Sequence, residues 1–187
     1  DDRFSTNWKP HEKRAVEENI EDIAKNPEYL QQAIDTLNNG VEDEDYAIAT
    51  AQYYHADITN IMFEKIKANP ENYKYYMALF TAENEQIIEQ LIKFTDSFGD
   101  FNDLTENQKM VVLVLLEELD QYDGAGLKFL IKTLKTADYH LQYIAMQTLC
   151  RYNKSSWQGT EIEQLAQRYA KESKDKDVKE IAKQMLA

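Results

Sequence analysis

The apolar residues of this chain recur at intervals of three and four along almost its whole length, which is the spacing of a helix face. Only 5 of its 187 residues are glycine and 3 are proline, so the connections between elements must be short. The pattern therefore predicts an all-α protein. The clearest stripes, each at positions i, i+3, i+4 and i+7, are Leu30-Ala33-Ile34-Leu37, Leu127-Leu130-Ile131-Leu134 and Ile162-Leu165-Ala166-Tyr169.

The helices are predicted to be short and numerous, about eleven in all. Asn26-Pro27 and Asn69-Pro70 each suit an N-cap followed by a first helical residue, and Gly40 suits a helix end. No heptad pattern is sustained, and no linker divides residues 1–187, so we expect a single domain. The breaks between helices are predicted near residues 26, 40, 57, 69, 83, 100, 124, 137, 155 and 174.

A signature recurs in three of the predicted helices. An aspartate is followed by apolar or small residues three, six, seven, ten and eleven positions later. The aspartate is predicted to cap the helix by accepting from free backbone N–H groups, and the small residue lets a paired helix approach closely. The three examples are Asp43-Tyr46-Ala49-Thr50-Tyr53-Tyr54, Asp138-Leu141-Ile144-Ala145-Thr148-Leu149 and Asp175-Val178-Ile181-Ala182-Met185-Leu186.

This arrangement resembles the HEAT-repeat family of armadillo-like helical proteins. Asp175-Lys176-Asp177-Val178-Lys179, with Ala182, is similar to the turn and second-helix opening of that family, although the usual first-helix proline is missing. The signature covers three pairs, near 30–54, 127–152 and 162–187. The resemblance implies a right-handed α-α superhelix of about five helix pairs, with residues 10–25 as an N-terminal capping helix. The first helices would start at Leu30, Ile58, Ile88, Leu127 and Ile162.

The formal charge of −13 is concentrated in the first part of the chain. Residues 1–100 hold 21 acidic and 9 basic side chains, whereas residues 101–187 hold 13 and 12. Phosphate backbones are bound by positive surfaces, so the balance predicts no nucleic-acid partner and no anionic-membrane partner. The acidity serves either solubility or the attraction of a basic partner. The longest apolar run, Met110 to Leu116, is too short for membrane insertion.

The run Glu42-Asp43-Glu44-Asp45 is the sharpest acidic feature, and it lies at a predicted helix start. The helix dipole favours one or two acids there, which supports an interpretation as capping and solubility. Four acids in a row also suit contact with a basic partner.

Tyrosine is unusually frequent, with 12 residues and the clusters Tyr53-Tyr54 and Tyr73-Lys74-Tyr75-Tyr76. A tyrosine covers a large area and keeps a polar end, so it suits both cores and binding surfaces. Core packing is expected for most of the twelve. Tyr54, Tyr76 and Tyr122 are the candidates for an exposed groove, while Trp8 and Trp157 are expected to anchor loops by packing.

Motifs that carry chemistry are missing from the sequence. No Glu-x-x-His or His-Glu-x-x-His is present, and a single cysteine cannot build a cysteine-rich zinc site. Gly124-Ala125-Gly126 lacks the lysine of a phosphate loop and is interpreted as a turn. The sequence thus predicts no catalytic residue, no metal and no cofactor. Cys150 is expected to be buried as a small apolar residue, and Glu117 and Glu118 are expected at a solvated helix end.

These observations predict a non-catalytic protein–protein interaction scaffold, whose acidic, tyrosine-rich helical surface holds a basic or amphipathic-helix partner. One alternative is an enzyme that resembles HEAT-like DNA glycosylases or bilin lyases, which the charge and the missing motifs disfavour. Another is a fragment of a longer array, because Ile181 and Met185 of the last helix would need cover. The cytoplasm is the expected compartment, although the start at Asp1-Asp2 indicates a processed or shortened chain. The predicted partner-binding residues are Glu42, Asp43, Glu44, Asp45, Tyr54, Tyr76 and Tyr122.

Overall fold

The computed structural model describes residues 28–40, 43–80 and 85–187. These residues form ten α-helices and three short 3-10 segments, and they contain no strand, so the all-α prediction is confirmed. The helices are α1 (Glu28–Asn39), α2 (Glu44–Tyr53), α3 (Thr59–Ala68), α4 (Tyr73–Phe80), α5 (Glu85–Phe94), α6 (Glu106–Leu119), α7 (Leu127–Leu134), α8 (Tyr139–Arg151), α9 (Glu161–Glu172) and α10 (Lys176–Leu186).

Most predicted helix boundaries agree closely with the observed ones, but the prediction of a helix start at Asn69-Pro70 is wrong, because residues 69–72 form a turn and the helix begins at Tyr73. Five first helices were expected to start at residues 30, 58, 88, 127 and 162, and the helices there begin at residues 28, 59, 85, 127 and 161. Eight of the predicted breaks fall in or beside the gaps between helices. The breaks at 26 and 83, the capping helix 10–25 and Trp8 lie outside the described residues.

Contacts within the chain divide it into two compact units, residues 1–82 (unit 1) and residues 83–187 (unit 2). In unit 1, α1 packs against α2 and α3 packs against α4. The amide of Gln52 on α2 donates to the carbonyl of Ala78 on α4 at 3.2 Å, which ties the two pairs together. The core of unit 1 consists of fully buried apolar side chains, among them Leu37, Ile48, Met62, Ile66 and Phe80.

Unit 2 consists of three successive pairs, α5 with α6, α7 with α8 and α9 with α10. The second helices also pack side by side, since α8 contacts both α6 and α10, and the first helices α7 and α9 touch as well. The hydroxyl of Thr148 on α8 donates to the carbonyl of Leu116 on α6 at 3.0 Å. In unit 2, α8 therefore packs between α6 and α10 in the contact order, and α7 contacts α9.

The turn between α6 and α7 confirms the predicted turn at Gly124-Ala125-Gly126. Gly126 has φ 63°, and a Cβ added there would lie 2.9 Å from Leu119 Cδ1 and 3.2 Å from Ile92 Cδ1. A larger residue would meet both a strained backbone and two side chains. Glycine at position 126 thus allows α5, the end of α6 and the start of α7 to approach closely.

Two of the three predicted aspartate caps are confirmed, and the third is wrong. Asp138 accepts from the backbone N–H of Leu141 at 3.1 Å, and Asp175 accepts from that of Val178 at 2.9 Å. Asp43 makes no side-chain cap bond, because its backbone is left-handed at φ 54° instead of extended. An N-cap side chain reaches the first turn from an extended backbone, which Asp138 and Asp175 have.

Burial of individual side chains corrects three expectations. Cys150 is exposed, because it lies on the outer side of α8 while Leu149 beside it faces the core. Glu118 is buried, although the neighbouring Glu117 is exposed as expected. Ile181 and Met185, which were expected to need cover, are buried within unit 2. The expectation that Trp157 is a packing anchor is confirmed, since it is 2% exposed in the α8–α9 connection.

Candidate functional site

The acidic run is divided between the surface and the interior of unit 1. Glu42 lies outside the described residues, and Asp43 is exposed at the start of α2. Glu44 is only 6% exposed, and Asp45 is half-buried. At least one of the four predicted partner-binding acids is therefore turned into the protein.

Glu44 is held by lysines from two other helices. Its Oε2 lies 3.2 Å from Lys65 Nζ of α3, and its Oε1 lies 3.3 Å from Lys74 Nζ of α4. Lys74 Nζ also lies 3.0 Å from Asp45 Oδ1. Both ammonium groups face the ring of Tyr75, at 5.7 and 5.6 Å from its centroid. This cluster, which we call the Glu44 cluster, joins α2, α3 and α4.

The protonation of the Glu44 cluster follows from its partners. Burial alone would raise the pKa of Glu44, but the Tyr75 hydroxyl and the ammonium groups of Lys65 and Lys74 together lower it below its usual value. Burial and the bond to Glu44 raise the pKa of Tyr75. The Tyr75 hydroxyl is therefore neutral and donates a hydrogen bond to the charged carboxylate of Glu44.

The described part of unit 1, with the Glu44 cluster included, carries an excess of negative charge. Its eight carboxylates are accompanied by three lysines and no arginine, which gives a net charge of −5. All three lysines face carboxylates, since Lys65 and Lys74 belong to the Glu44 cluster and Lys67 Nζ lies 2.9 Å from Glu64 Oε1. The other five carboxylates belong to Glu28, Asp35, Asp43, Asp57 and Glu71.

Tyrosines of α1 and of α2 with its C-cap form an aromatic patch in unit 1. Tyr29 is 39% exposed and Tyr53 is 45% exposed. The rings of Tyr53 and Tyr54 meet edge to face with centroids 5.4 Å apart. Burial raises the pKa of Tyr46, and the nearby Tyr29 and Tyr54 raise it further, so all four lie close together. We call Tyr29, Tyr46, Tyr53 and Tyr54 the tyrosine patch.

The other two tyrosine candidates lie elsewhere. Tyr76 is 1% exposed and its hydroxyl donates to the carbonyl of Pro70 at 3.0 Å, so the prediction that it lines an exposed groove is wrong. The reason is that α4 is covered on all sides, with every residue from 75 to 80 buried. Tyr122 is half-buried in the α6–α7 turn of unit 2.

Unit 2 contains a groove of about 780 Å³ between α5 and α7, which was not among the predicted sites. Half-buried Ile92 and almost fully buried Phe129 contribute apolar surface to it. Two acids of its lining, Glu89 and Asp96, come from α5 and the 3-10 segment that follows. Its three lysines are Lys93, Lys128 and Lys132.

The lysines of the groove differ from those of unit 1 in their partners. Lys93 and Lys128 make no ion pair with any described residue, and Lys132 lies over the ring of Phe101 at 4.3 Å. Helix α7 contains no acidic residue, and that absence was the one signal of the groove in the sequence. Because Lys128 and Lys132 are both on α7, the α7 wall of the groove is positive.

Two further properties of residues 28–40, 43–80 and 85–187 bear on function. No three histidine, cysteine or carboxylate side chains come together there in a way that could hold a metal ion. Each helix in those ranges is too short or too polar to cross a bilayer.

Comparisons with known proteins identify no relative. No family model matches this chain, and neither a curated protein nor a solved structure is significantly similar to it.

Proposed function

We propose that this chain is a non-catalytic protein–protein interaction scaffold, and that the acidic, tyrosine-bearing surface of unit 1 holds a basic or amphipathic-helix partner. One observation carries the proposal. Every lysine in the described part of unit 1 is paired with a carboxylate, and the same part has a net charge of −5. Its remaining carboxylates and the tyrosine patch are therefore the groups that a partner would meet. Such a surface repels acidic partners and attracts basic ones.

The tyrosine patch offers apolar contact area, which charged groups alone do not provide. Exposed carboxylates steer a basic partner but contribute little affinity, because water and salt screen them. Tyrosine rings add large apolar area at low entropic cost and keep a hydroxyl for hydrogen bonding. The basic face of a helix would pair with the carboxylates, and its apolar face would lie on Tyr29 and Tyr53.

The contacts of the Glu44 cluster suggest different roles for the two halves of the predicted acidic site, Glu42-Asp43 and Glu44-Asp45. Glu44 and Asp45 face Lys65 and Lys74, so we propose that they stabilise α2 against α3 and α4. Glu42 and Asp43 remain the proposed contacts for the partner, with Tyr54 at the edge of the tyrosine patch.

The proposed architecture is the HEAT-like right-handed superhelix of about five helix pairs. The packing of unit 2 supports it, since α6, α8 and α10 lie side by side as second helices do in stacked repeats. No observation on the described residues favours the glycosylase-like or lyase-like alternative.

Binding of a labelled amphipathic peptide with leucines on one face and lysines on the other tests this function. We expect saturable binding to the full chain that weakens as salt is raised. The variant Asp35→Asn/Asp43→Asn should lower affinity mainly at low salt, whereas Tyr29→Ser/Tyr53→Ser should lower it at all salt concentrations. Glu172→Gln/Glu180→Gln, at exposed positions of unit 2, removes the same charge elsewhere and should leave the Kd within about twofold.

Two results would count against the proposal. One is the absence of saturable binding by the wild-type chain. The other is an equal loss of affinity in the unit 1 variants and in the Glu172→Gln/Glu180→Gln control, which would show that only net charge matters.

A further inference from the structure

The groove between α5 and α7 is opposite in character to the surface of unit 1. Its α7 wall carries Lys128 and Lys132 and no acid, in a chain whose formal charge is −13. Lys128 is exposed and makes no ion pair with a described residue. Ammonium groups without carboxylate partners, at the edge of a groove with some apolar surface, suit an anionic ligand.

The charges on the two walls are not equivalent. The acids of the groove, Glu89 and Asp96, come from the α5 side. Of the three lysines that line the groove, Lys93 belongs to that side and the other two belong to α7. A ligand that carried carboxylates on all sides would meet these acids at close range. The groove therefore favours a ligand with negative charge on one side and uncharged groups on the other.

The spacing of the lysines on α7 matches an extended peptide. Lys128 and Lys132 are four residues apart, so they lie on one face of α7 about 6 Å apart along its axis. Alternate residues of an extended chain point to the same side and are spaced by about 6.7 Å. Carboxylates at positions i and i+2 of such a peptide would each face one lysine.

We propose that the α5–α7 groove binds a short extended peptide in which acidic and uncharged residues alternate. The acidic side chains pair with Lys128 and Lys132, and Lys93 lies near the peptide from the other wall. The intervening residues turn toward Ile92 on the α5 side and, being uncharged, place no negative charge against Glu89 and Asp96. This site is independent of the proposed binding of a basic partner by unit 1.

Fluorescence anisotropy with a labelled nine-residue peptide of alternating glutamate and valine tests the proposal on the full chain. We expect saturable, salt-sensitive binding, and weaker binding of a peptide of the same composition whose glutamates are contiguous. Lys128→Glu/Lys132→Glu should raise the Kd about tenfold or more, since two ion pairs become two repulsions. Lys171→Glu/Lys174→Glu, at two exposed positions outside the groove, changes net charge equally and should alter the Kd by less than about twofold.

Because Lys128 is exposed and makes no ion pair with a described residue, Lys128→Glu alone keeps the test valid if the double variant unfolds. Four results would overturn the proposal. They are no saturable binding, equal binding of the contiguous peptide, an equal effect of the Lys171→Glu/Lys174→Glu control, and displacement of the peptide by single-stranded DNA at lower concentration than by unlabelled peptide. Self-association of the wild-type chain that Lys128→Glu abolishes would instead identify a second copy as the occupant.

Discussion

Among the described residues of the acidic run, Glu44 is the most buried, and it contacts lysines of two other helices. Replacing it by glutamine keeps its size but leaves the charges of Lys65 and Lys74 without their shared carboxylate. We expect Glu44→Gln to lower the free energy of unfolding by about 2 kcal/mol. The matched control is Glu64→Gln, which breaks an exposed pair with Lys67 and should cost less than about 0.5 kcal/mol. Urea denaturation of both variants measures the difference, and equal costs would contradict a structural role for the Glu44 cluster.

The lowered pKa of Glu44 also predicts how stability depends on pH. A carboxyl group whose pKa is lower in the folded than in the unfolded state stabilises the fold above its unfolded pKa. That contribution is lost as pH falls from about 5 through the folded pKa, because the folded state must then take up the proton. We therefore expect denaturation midpoints of the wild type to fall in this acid range, and those of Glu44→Gln to fall less. If the denaturation midpoints of the wild type and of Glu44→Gln changed equally with pH, the lowered pKa of Glu44 would be contradicted.

Residue-level exposure was the part of the site that the sequence determined least. Tyr54 and Tyr76 look alike in sequence, as each ends a tyrosine pair on a short helix. Tyr76 is buried because α4 is surrounded on all sides, and helical spacing cannot show how many neighbours a helix has. The pairing of Glu44 with Lys65 and Lys74 was hidden for the same reason, since those residues are 21 and 30 positions apart from it in sequence.

At the level of the helix, caps with different backbones should respond differently to mutation. Asp175 accepts from the N–H of Val178, so Asp175→Ala should lower the free energy of unfolding by about 1 kcal/mol. Asp43 makes no cap bond and has a left-handed backbone, which glycine adopts without strain. Asp43→Gly should therefore change stability by less than about 0.5 kcal/mol. Thermal or urea denaturation distinguishes the two, and similar losses would show that Asp43 also serves as a cap.

The helices themselves were largely predictable, whereas the space between them was not. Apolar periodicity and the few turn residues located the ends of α1, α7 and α9 to within about two residues, because both signals act over a few neighbours. The groove between α5 and α7 depends on helices that are more than thirty residues apart in sequence. The geometry of the groove follows from how α6 and Gly126 connect α5 to α7. Local sequence patterns do not determine the angle and distance between two such helices.

For the whole molecule, the division into two units predicts that a local change should have a local effect. Glu44→Gln removes contacts that lie within unit 1. We expect faster amide hydrogen exchange in α2, α3 and α4 of this variant, with exchange in α8 and α10 unchanged. Mass spectrometry of peptic fragments resolves these segments. Faster exchange in α8 as well would show that the two units open cooperatively.

The uneven charge along the chain was visible in the sequence, but which charges are paired with one another could be seen only in the structure. Residues 1–100 were recognised as the acidic part, yet the sequence could not show that the three lysines in the described part of unit 1 all face carboxylates. Nor could it show that lysines of unit 2 line a groove. The proposed basic-partner surface of unit 1 and the proposed acidic-peptide groove of unit 2 differ in the sign of their charge, and each of the two peptide assays addresses one of them.

The burial of Trp157 has an optical consequence. The chain has two tryptophans, and an indole shielded from water emits at shorter wavelength than one in solvent. In a Trp8→Phe background, all indole emission would come from the α8–α9 connection. A red shift during denaturation would then report the loosening of unit 2 by itself, without a label and without a signal from the tyrosine-bearing helices of unit 1.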